Sequence, residues 1–185
     1  MNNEILRQYG TPADAHGRAQ REQRCYALLD ELQVSFDRVD HPAADDMEAC
    51  AAVGQVLGAP LCKNLFLCNR QKTKFYLLSM PGDKPFKTKE LSGQLGIARL
   101  SFAGPDEMAR LLDVRPGSVS VLGLAQDTEN AVQLLLDADL KGEPWFGCHP
   151  CQNTSSLRIT TDALLETVLP ALHHQPIFVT LTGEG

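Results

Sequence analysis

Apolar residues in "REQRCYALLDEL" recur at helical spacing. Cys25, Leu28, Leu29 and Leu32 fall on one stripe, which predicts a helix over 21–32. "VSFDRVDH" then reads as a strand and "HPAA" as a turn. "DDMEACAAVGQVLG" predicts a second helix, with acids in its first turn and Gly58 and Pro60 at its end. "LCKNLFLCN" and "KFYLLSM" predict two strands around the polar hairpin "RQKT". Pro81, Gly82 and Pro85 break the chain before a short helix, "KTKELSGQLG". "ARLSFA" predicts a short strand, and "GPDEMARLLDV" a helix with Pro105 near its first position. "PGSVSVLGLAQ" and "AVQLLLDADL" both read as strands. After a loop around Trp145 come a strand, "SSLRIT", a helix, "TDALLETVLPALHH", and a closing strand, "PIFVTLTG".

This order is not a regular βαβ alternation, and no glycine-rich phosphate loop follows a strand, so Rossmann and P-loop readings find no support. Hairpins mixed with scattered helices predict an α+β domain around a mixed, mostly antiparallel sheet. Residues 1–20 are polar, with Gly10, Pro12 and Gly17, and predict a loosely ordered arm; residues 21–185 form the domain. A chain of 185 residues suits one domain with a real core. No apolar run approaches the roughly 18 residues of a membrane span. The start, "MNNEILRQYG", lacks a secretion signal. The expectation is a soluble, cytoplasmic protein with no membrane partner.

The net charge of −6 argues against a nucleic-acid partner until its distribution is read. Residues 63–89 hold seven bases (Lys63, Arg70, Lys72, Lys74, Lys84, Lys87 and Lys89) against one acid, Asp83. Ten bases and twenty-two acids make up the remainder. A local basic field on an acidic body can steer a polyanion to one face, although a solvated lysine-rich hairpin would show the same pattern.

Five features are candidates for chemistry. Lys63 lies within an apolar strand pattern; it either points to solvent or is an ammonium held rigidly at a cleft. His149 lies between Gly147 and Pro150 on "FGCHPCQNTSS", a segment suited to presenting a side chain and loop amides to a ligand, or an exposed loop without a role. Asn153, Thr154, Ser155 and Ser156 can bind a ligand or satisfy loop backbone. Ser118 follows Gly117 in "PGSVSV", but G-x-S-x-G is absent and no base partner is evident for a nucleophile. Cys148 and Cys151 form C-x-x-C. Zinc would need further ligands, and the distant His173 and His174 are adjacent rather than spaced; a redox pair would open a helix, whereas "QNTSSLRIT" reads as strand. With no export signal, all six cysteines are expected as free thiols.

Together, "CKNLFLCNRQKTKFYLL", "KELSGQLG", "RLSFAGPDEMARLLDVRPGSVSVLGL" and "WFGCHPCQNTSSLRIT" resemble the YbaK/prolyl-tRNA-synthetase-associated editing domains, in particular the free-standing PrdX/ProXp-ala type. The resemblance spans about residues 24–182. It implies a single α+β domain with a barrel-like mixed sheet, and hydrolysis in trans of the ester of mischarged aminoacyl-tRNA, typically alanine on proline tRNA, without metal or other cofactor. Alternatives are the same hydrolysis with Cys or Ser on that tRNA, or a non-catalytic acceptor-binding module. Lys63 matches the family's functional lysine; Gly147, His149 and Pro150 match its substrate loop, with Asn153 and Thr154 continuing it. Gly117 and Ser118 match the turn that borders the pocket. The implied partner is the acceptor end of proline tRNA, contacted by Arg70, Lys72, Lys74, Lys84, Lys87 and Lys89; prolyl-tRNA synthetase and an elongation factor are further candidates. Cys148, Cys151 and the Ser155-Ser156 pair depart from the common family residues at the pocket.

Overall fold

The computed structural model describes residues 5–184. In chain order its elements are β1 (Arg7–Tyr9), α1 (Gln20–Glu31), β2 (Asp37–Asp40), α2 (Met47–Leu57), β3 (Lys63–Cys68), β4 (Phe75–Met80), α3 (Thr88–Leu95), β5 (Ser101–Phe102), α4 (Pro105–Leu112), β6 (Val132–Asp137), β7 (Trp145–Cys148) and β8 (Ser155–Thr160). A last helical stretch follows, α5 (Thr161–Ala163) and α6 (Leu169–Ala171) joined through a π-helical turn (Leu164–Val168), and then β9 (Ile177–Val179). Local chemistry sets the helix starts. Asp46 caps α2 by accepting from the Ala49 amide at 2.8 Å. Glu107 reaches back to the Gly104 amide at 3.0 Å behind Pro105 at the head of α4.

The strands form two sheets rather than one, ordered β1-β2-β8-β7 and β5-β3-β4-β6-β9. Pairing is antiparallel except for β4–β6 and β6–β9. The main core lies between the sheets. Phe66, Cys68, Leu77, Leu134 and Leu136 enter it from one sheet, Phe146, Cys148, Leu157 and Ile159 from the other, and α1 and α4 contribute Leu29 and Leu112. Because side chains alternate along a strand, the opposite faces need cover of their own. α3 covers the five-stranded sheet through Leu91, packed with Leu67, Leu78 and Leu135. α2 covers the four-stranded sheet through Val53 and Leu57, packed on Val39.

The sheets touch where Leu61 forms a parallel bridge with Gly147 and the Cys62 amide donates to the Gly147 carbonyl at 3.0 Å. A Cβ on Gly147 would lie 2.5 Å from the Pro60 carbonyl oxygen, so only glycine permits this approach.

Three local expectations are corrected. "PGSVSVLGLAQ" is not a strand: Val121–Gln126 is a 3-10 helix whose start is capped by Ser120 accepting from the Leu122 amide. Trp145–Cys148, read as loop, is β7. Part of the N-terminal segment is tied down: β1 pairs with β2 from Arg7↔Val39 to Tyr9↔Asp37. Arg18 donates to Asp14, Glu22 and Asp40. Residues 1–4 of the expected arm lie outside the described residues.

Candidate functional site

Lys63 opens β3 opposite Met80, and the Leu61–Gly147 bridge stands two residues before it. The same bridge stands two residues before His149. Alternation sends Phe66 and Cys68 into the main core and Lys63 to the other face; likewise Phe146 and Cys148 turn inward and Gly147 outward, with His149 next in that alternation. Both segments thus leave the Leu61–Gly147 junction with these residues turned away from the main core. One of the three ammonium donors of Lys63 goes to the Lys84 carbonyl at 2.7 Å.

His149 is half-buried, and its hydrogen bonds fix its tautomer. Nδ1 lies 2.9 Å from the Ser155 carbonyl oxygen, which only accepts, so Nδ1 carries the proton. Ser156 Oγ lies 3.1 Å from the same nitrogen and 2.8 Å from Nε2 of His41, whose own Nδ1 faces the Pro42 carbonyl at 2.7 Å. Ser156 thus accepts from His149 and donates to His41, and the lone pair of His149 is left on Nε2. Burial holds the His149 imidazole below the ordinary histidine range; the Ser155 carbonyl opposes this, and neighbouring His41 adds to the lowering. At neutral pH the ring is an uncharged base.

The remaining loop residues fasten this arrangement. Gly117 holds φ at +84°, where a side chain would be strained, and its α-carbon faces Asn153: a Cβ there would lie 3.6 Å from Asn153 Nδ2. Asn153 Nδ2 donates to Asp45 at 3.0 Å, and the Asn153 and Thr154 carbonyls accept from the Ala44 and His41 amides. Pro150 is buried and Thr154 exposed. The Ser118 hydroxyl is buried and spent on Arg115, donating to its carbonyl at 3.0 Å, so it is not poised as a nucleophile.

Two cavities lie nearby, one reaching Leu61 and Cys62 and the other reaching His41 and Thr154. One of about 660 Å³ lies under α2, lined by Met47, Cys50, Leu61, Cys62, Gly82 and Trp145 among others, and is mainly apolar. The other, about 680 Å³, is of mixed polarity and runs past Gln8, Arg18, Asp40, His41, Gln152 and Thr154. Both lie in the size range of small-molecule sites.

The C-x-x-C pair does not act as a pair. Cys151 Sγ lies 3.5 Å from Cys25 Sγ of α1, and both belong to the main core with Cys148. Burial pushes the Cys148 thiol up, and pushes Cys62 up to about 12, so both are neutral thiols at physiological pH. Among the described residues no group of three His, Cys, Asp or Glu side chains is arranged to hold a metal ion.

Of the basic residues, Lys84 is structural. Its ammonium is held by Asp137 and Asp139, each at 2.7 Å, and by the Leu181 carbonyl at 2.8 Å. Lys72 pairs with Glu107 at 2.9 Å. Arg70, Lys74, Lys87 and Lys89 are exposed. Sequence reading passed over His41, Asp45 and Ser156 as parts of one network. The available signal was the repeated dipeptide His-Pro at 41–42 and 149–150, each placed directly after a strand that pairs with β8.

The aminoacyl-tRNA editing domain family matches residues 41–167. The prolyl-tRNA editing protein ProX of Acetoanaerobium sticklandii is 26% identical over 147 residues, 80% of this chain and 90% of that protein. The prolyl-tRNA synthetase associated domain-containing protein 1 of Danio rerio is 31% identical over 154 residues, 82% and 83% of the two chains. A solved structure described as a candidate trans-editing enzyme for prolyl tRNA synthetase shares the fold, with a TM-score of 0.65 at 19% identity over 91% of this chain and 99% of that one. The protein belongs to the aminoacyl-tRNA editing domain family.

Proposed function

We propose that the protein hydrolyses, in trans and in the cytoplasm, the ester of mischarged aminoacyl-tRNA, with alanyl-tRNA(Pro) as its substrate. The observation that supports this reading is the Leu61–Gly147 bridge, which stands two residues before both Lys63 and the neutral His149, with Leu61 and Cys62 lining an apolar cavity. In the reaction a water oxygen bonds to the aminoacyl carbonyl carbon, and the bond from that carbon to the terminal ribose oxygen breaks. One proton goes to the ribose oxygen and the other is released with the amino acid's carboxylate. His149 Nε2 holds the water or the vicinal ribose hydroxyl by accepting its proton. Lys63 steadies the developing oxyanion or the last phosphate. Aminoacyl esters are already activated, so orientation and a few fixed donors suffice without a nucleophile triad. Such a step has a use because a synthetase pocket built for proline rejects a smaller side chain by only about 1–3 kcal/mol per missing methylene.

The 660 Å³ cavity exceeds any amino-acid side chain, so volume alone does not select alanine over Cys or Ser. A panel of proline tRNAs bearing Ala, Cys, Ser and Pro decides it: alanyl-tRNA is expected to be deacylated at catalytic enzyme levels and prolyl-tRNA spared. Lys63→Ala should lower kcat/KM by about 100-fold or more, the loss of one charge-stabilising donor. Full activity in that variant overturns the assignment of Lys63. Stoichiometric tRNA binding without ester loss would instead establish an acceptor-binding module.

A further inference from the structure

The face of the five-stranded sheet that carries Lys63 continues into an exposed aromatic pair. Lys63, Leu65 and Leu67 alternate onto that face, and Phe102 stands directly opposite Leu67 on edge strand β5, so the two point the same way. Four strand positions separate Lys63 from Leu67, about 13 Å. Phe102 is 60% exposed, and its ring meets that of Phe86 edge-on with centroids 6.2 Å apart. Phe86 in turn packs on the Leu67–Leu78–Leu91 cluster, two residues after Lys84, whose carbonyl holds Lys63. Between the Lys63 ammonium and the aromatic pair lie Leu65 and Leu67, packed in the cluster that α3 covers.

Cations flank the pair along the chain. Arg99 Nε donates to Thr88 Oγ1 at 3.1 Å, which ties Arg99 to the start of α3, where Thr88 lies in sequence between the exposed Lys87 and Lys89. The nearby carboxylates are largely engaged: Glu90 accepts from the Thr182 and Gly183 amides, and Glu107 accepts from Lys72. Asp106, in the first turn of α4, is a further acid. An exposed, edge-supported ring offers a π-face to any base, and surrounding cations neutralise a backbone; the combination fits unpaired nucleotides rather than a duplex.

We propose that Phe102, supported by Phe86, is a stacking platform for the unpaired 3′ nucleotides of an RNA acceptor end, with Arg99 and Lys89 taking their phosphates. The inference rests on the editing reading only for which RNA is bound.

The test uses the full chain and two RNA hairpins with the proline acceptor-stem sequence, one with a four-nucleotide unpaired 3′ end and one blunt. Wild type should bind the first more tightly. Phe102→Ala and Phe102→Leu should each weaken that binding about fivefold or more while blunt binding and salt dependence hold, and Phe102→Trp should restore it. Arg99→Ala with Lys89→Ala should flatten the salt slope by about 0.7 per cation removed. Wild type that ignores the overhang, a Phe102→Ala variant that binds like wild type, or self-association of wild type that Phe102→Ala abolishes would each overturn the platform. Overhang preference without deacylation of alanyl-tRNA would sink the hydrolase reading and leave the platform standing; deacylation without overhang preference would do the reverse.

Discussion

At the scale of single residues the central object is His149, because its chemistry is set by what surrounds it. The Ser155 carbonyl and Ser156 hydroxyl fix its proton on Nδ1, and His41 is the one ionisable neighbour that contributes to its lowered pKa. Removing His41 removes the neighbour whose electrostatic effect opposes protonation of His149. His41→Phe should therefore raise the His149 pKa and move the acid limb of the kcat/KM profile to higher pH. The sign is definite: a base that protonates more readily is lost earlier as pH falls. A merely structural role for His41 would lower activity equally at all pH and leave the limb in place. The same lowering links His149 to stability. Its folded pKa lies below its unfolded value, so its contribution is complete above the ordinary histidine range and is lost as pH falls through it.

At the scale of elements, the polar stretch before α1 is held by ion pairs and strand pairing, with Ile5 and Ala15 packed at the edges of two apolar clusters. Burial of Asp40 would raise its pKa, but hydrogen bonds from Arg18 and Arg38 overcome this and hold it at about 2. The sign is that of a carboxylate stabilised in the fold: the contribution is present above about pH 4 and lost as pH falls towards 2. The Asp40 side chain is 32% exposed, so the full linkage value is discounted for screening. Asp40→Asn should lower unfolding stability by about 1–2 kcal/mol at pH 7, with the gap closing near pH 2; denaturant melts at both pH values measure it. The physics of this segment also explains why it was illegible in the sequence. Helices α1, α2 and α4 bury one face and leave a periodic trace, whereas strands β3, β4, β6 and β8, largely buried on both faces, show as short apolar runs. β1 is exposed throughout and leaves none. β7 hides between Pro144 and Pro150, and its central residue is a glycine. Val121–Gln126 is apolar like a buried strand, yet Gly123 lies against the Leu112 carbonyl and the run coils into a 3-10 helix. In the last helix Pro170 cannot donate to the preceding turn, and the chain widens into a π turn, with the Leu169 amide reaching Leu164. Of the site, the family-like motifs exposed Lys63 and the His149 loop. The His41–Ser156 link was hidden because its partners are 115 residues apart and meet only through β2–β8 pairing.

For the whole molecule, the decisive feature is that the two sheets meet through one narrow crossing, and the candidate chemistry is mounted on both sides of it. Segment 60–62 passes between β7 and the turn at Pro81–Gly82: the Pro60 carbonyl abuts Gly147, and the Leu61 carbonyl abuts Gly82, where an added Cβ would come within 2.6 Å. Lys63 belongs to one sheet and His149 follows a strand of the other, so their relative placement depends on this passage rather than on either sheet alone. Gly147→Ala would put a methyl 2.5 Å from the Pro60 carbonyl, a backbone atom that cannot rotate away, so the strands must separate. Strain of this kind costs about 1–3 kcal/mol, which a core packed on both sheets can absorb with a lowered melting temperature. Catalysis has less tolerance, since a displacement of about 1 Å at reacting groups can cost 100-fold in rate. Gly147→Ala is therefore expected to fold, with a native-like circular dichroism spectrum and reduced stability, and to lose far more deacylation than stability. Cys148→Ala on the adjacent core-facing position separates the effects: it opens space in the main core while leaving the Gly147–Pro60 contact as it is, and should lower stability while keeping most of the rate. Equal rate losses in the two variants would show that the crossing has no special part in placing Lys63 against His149.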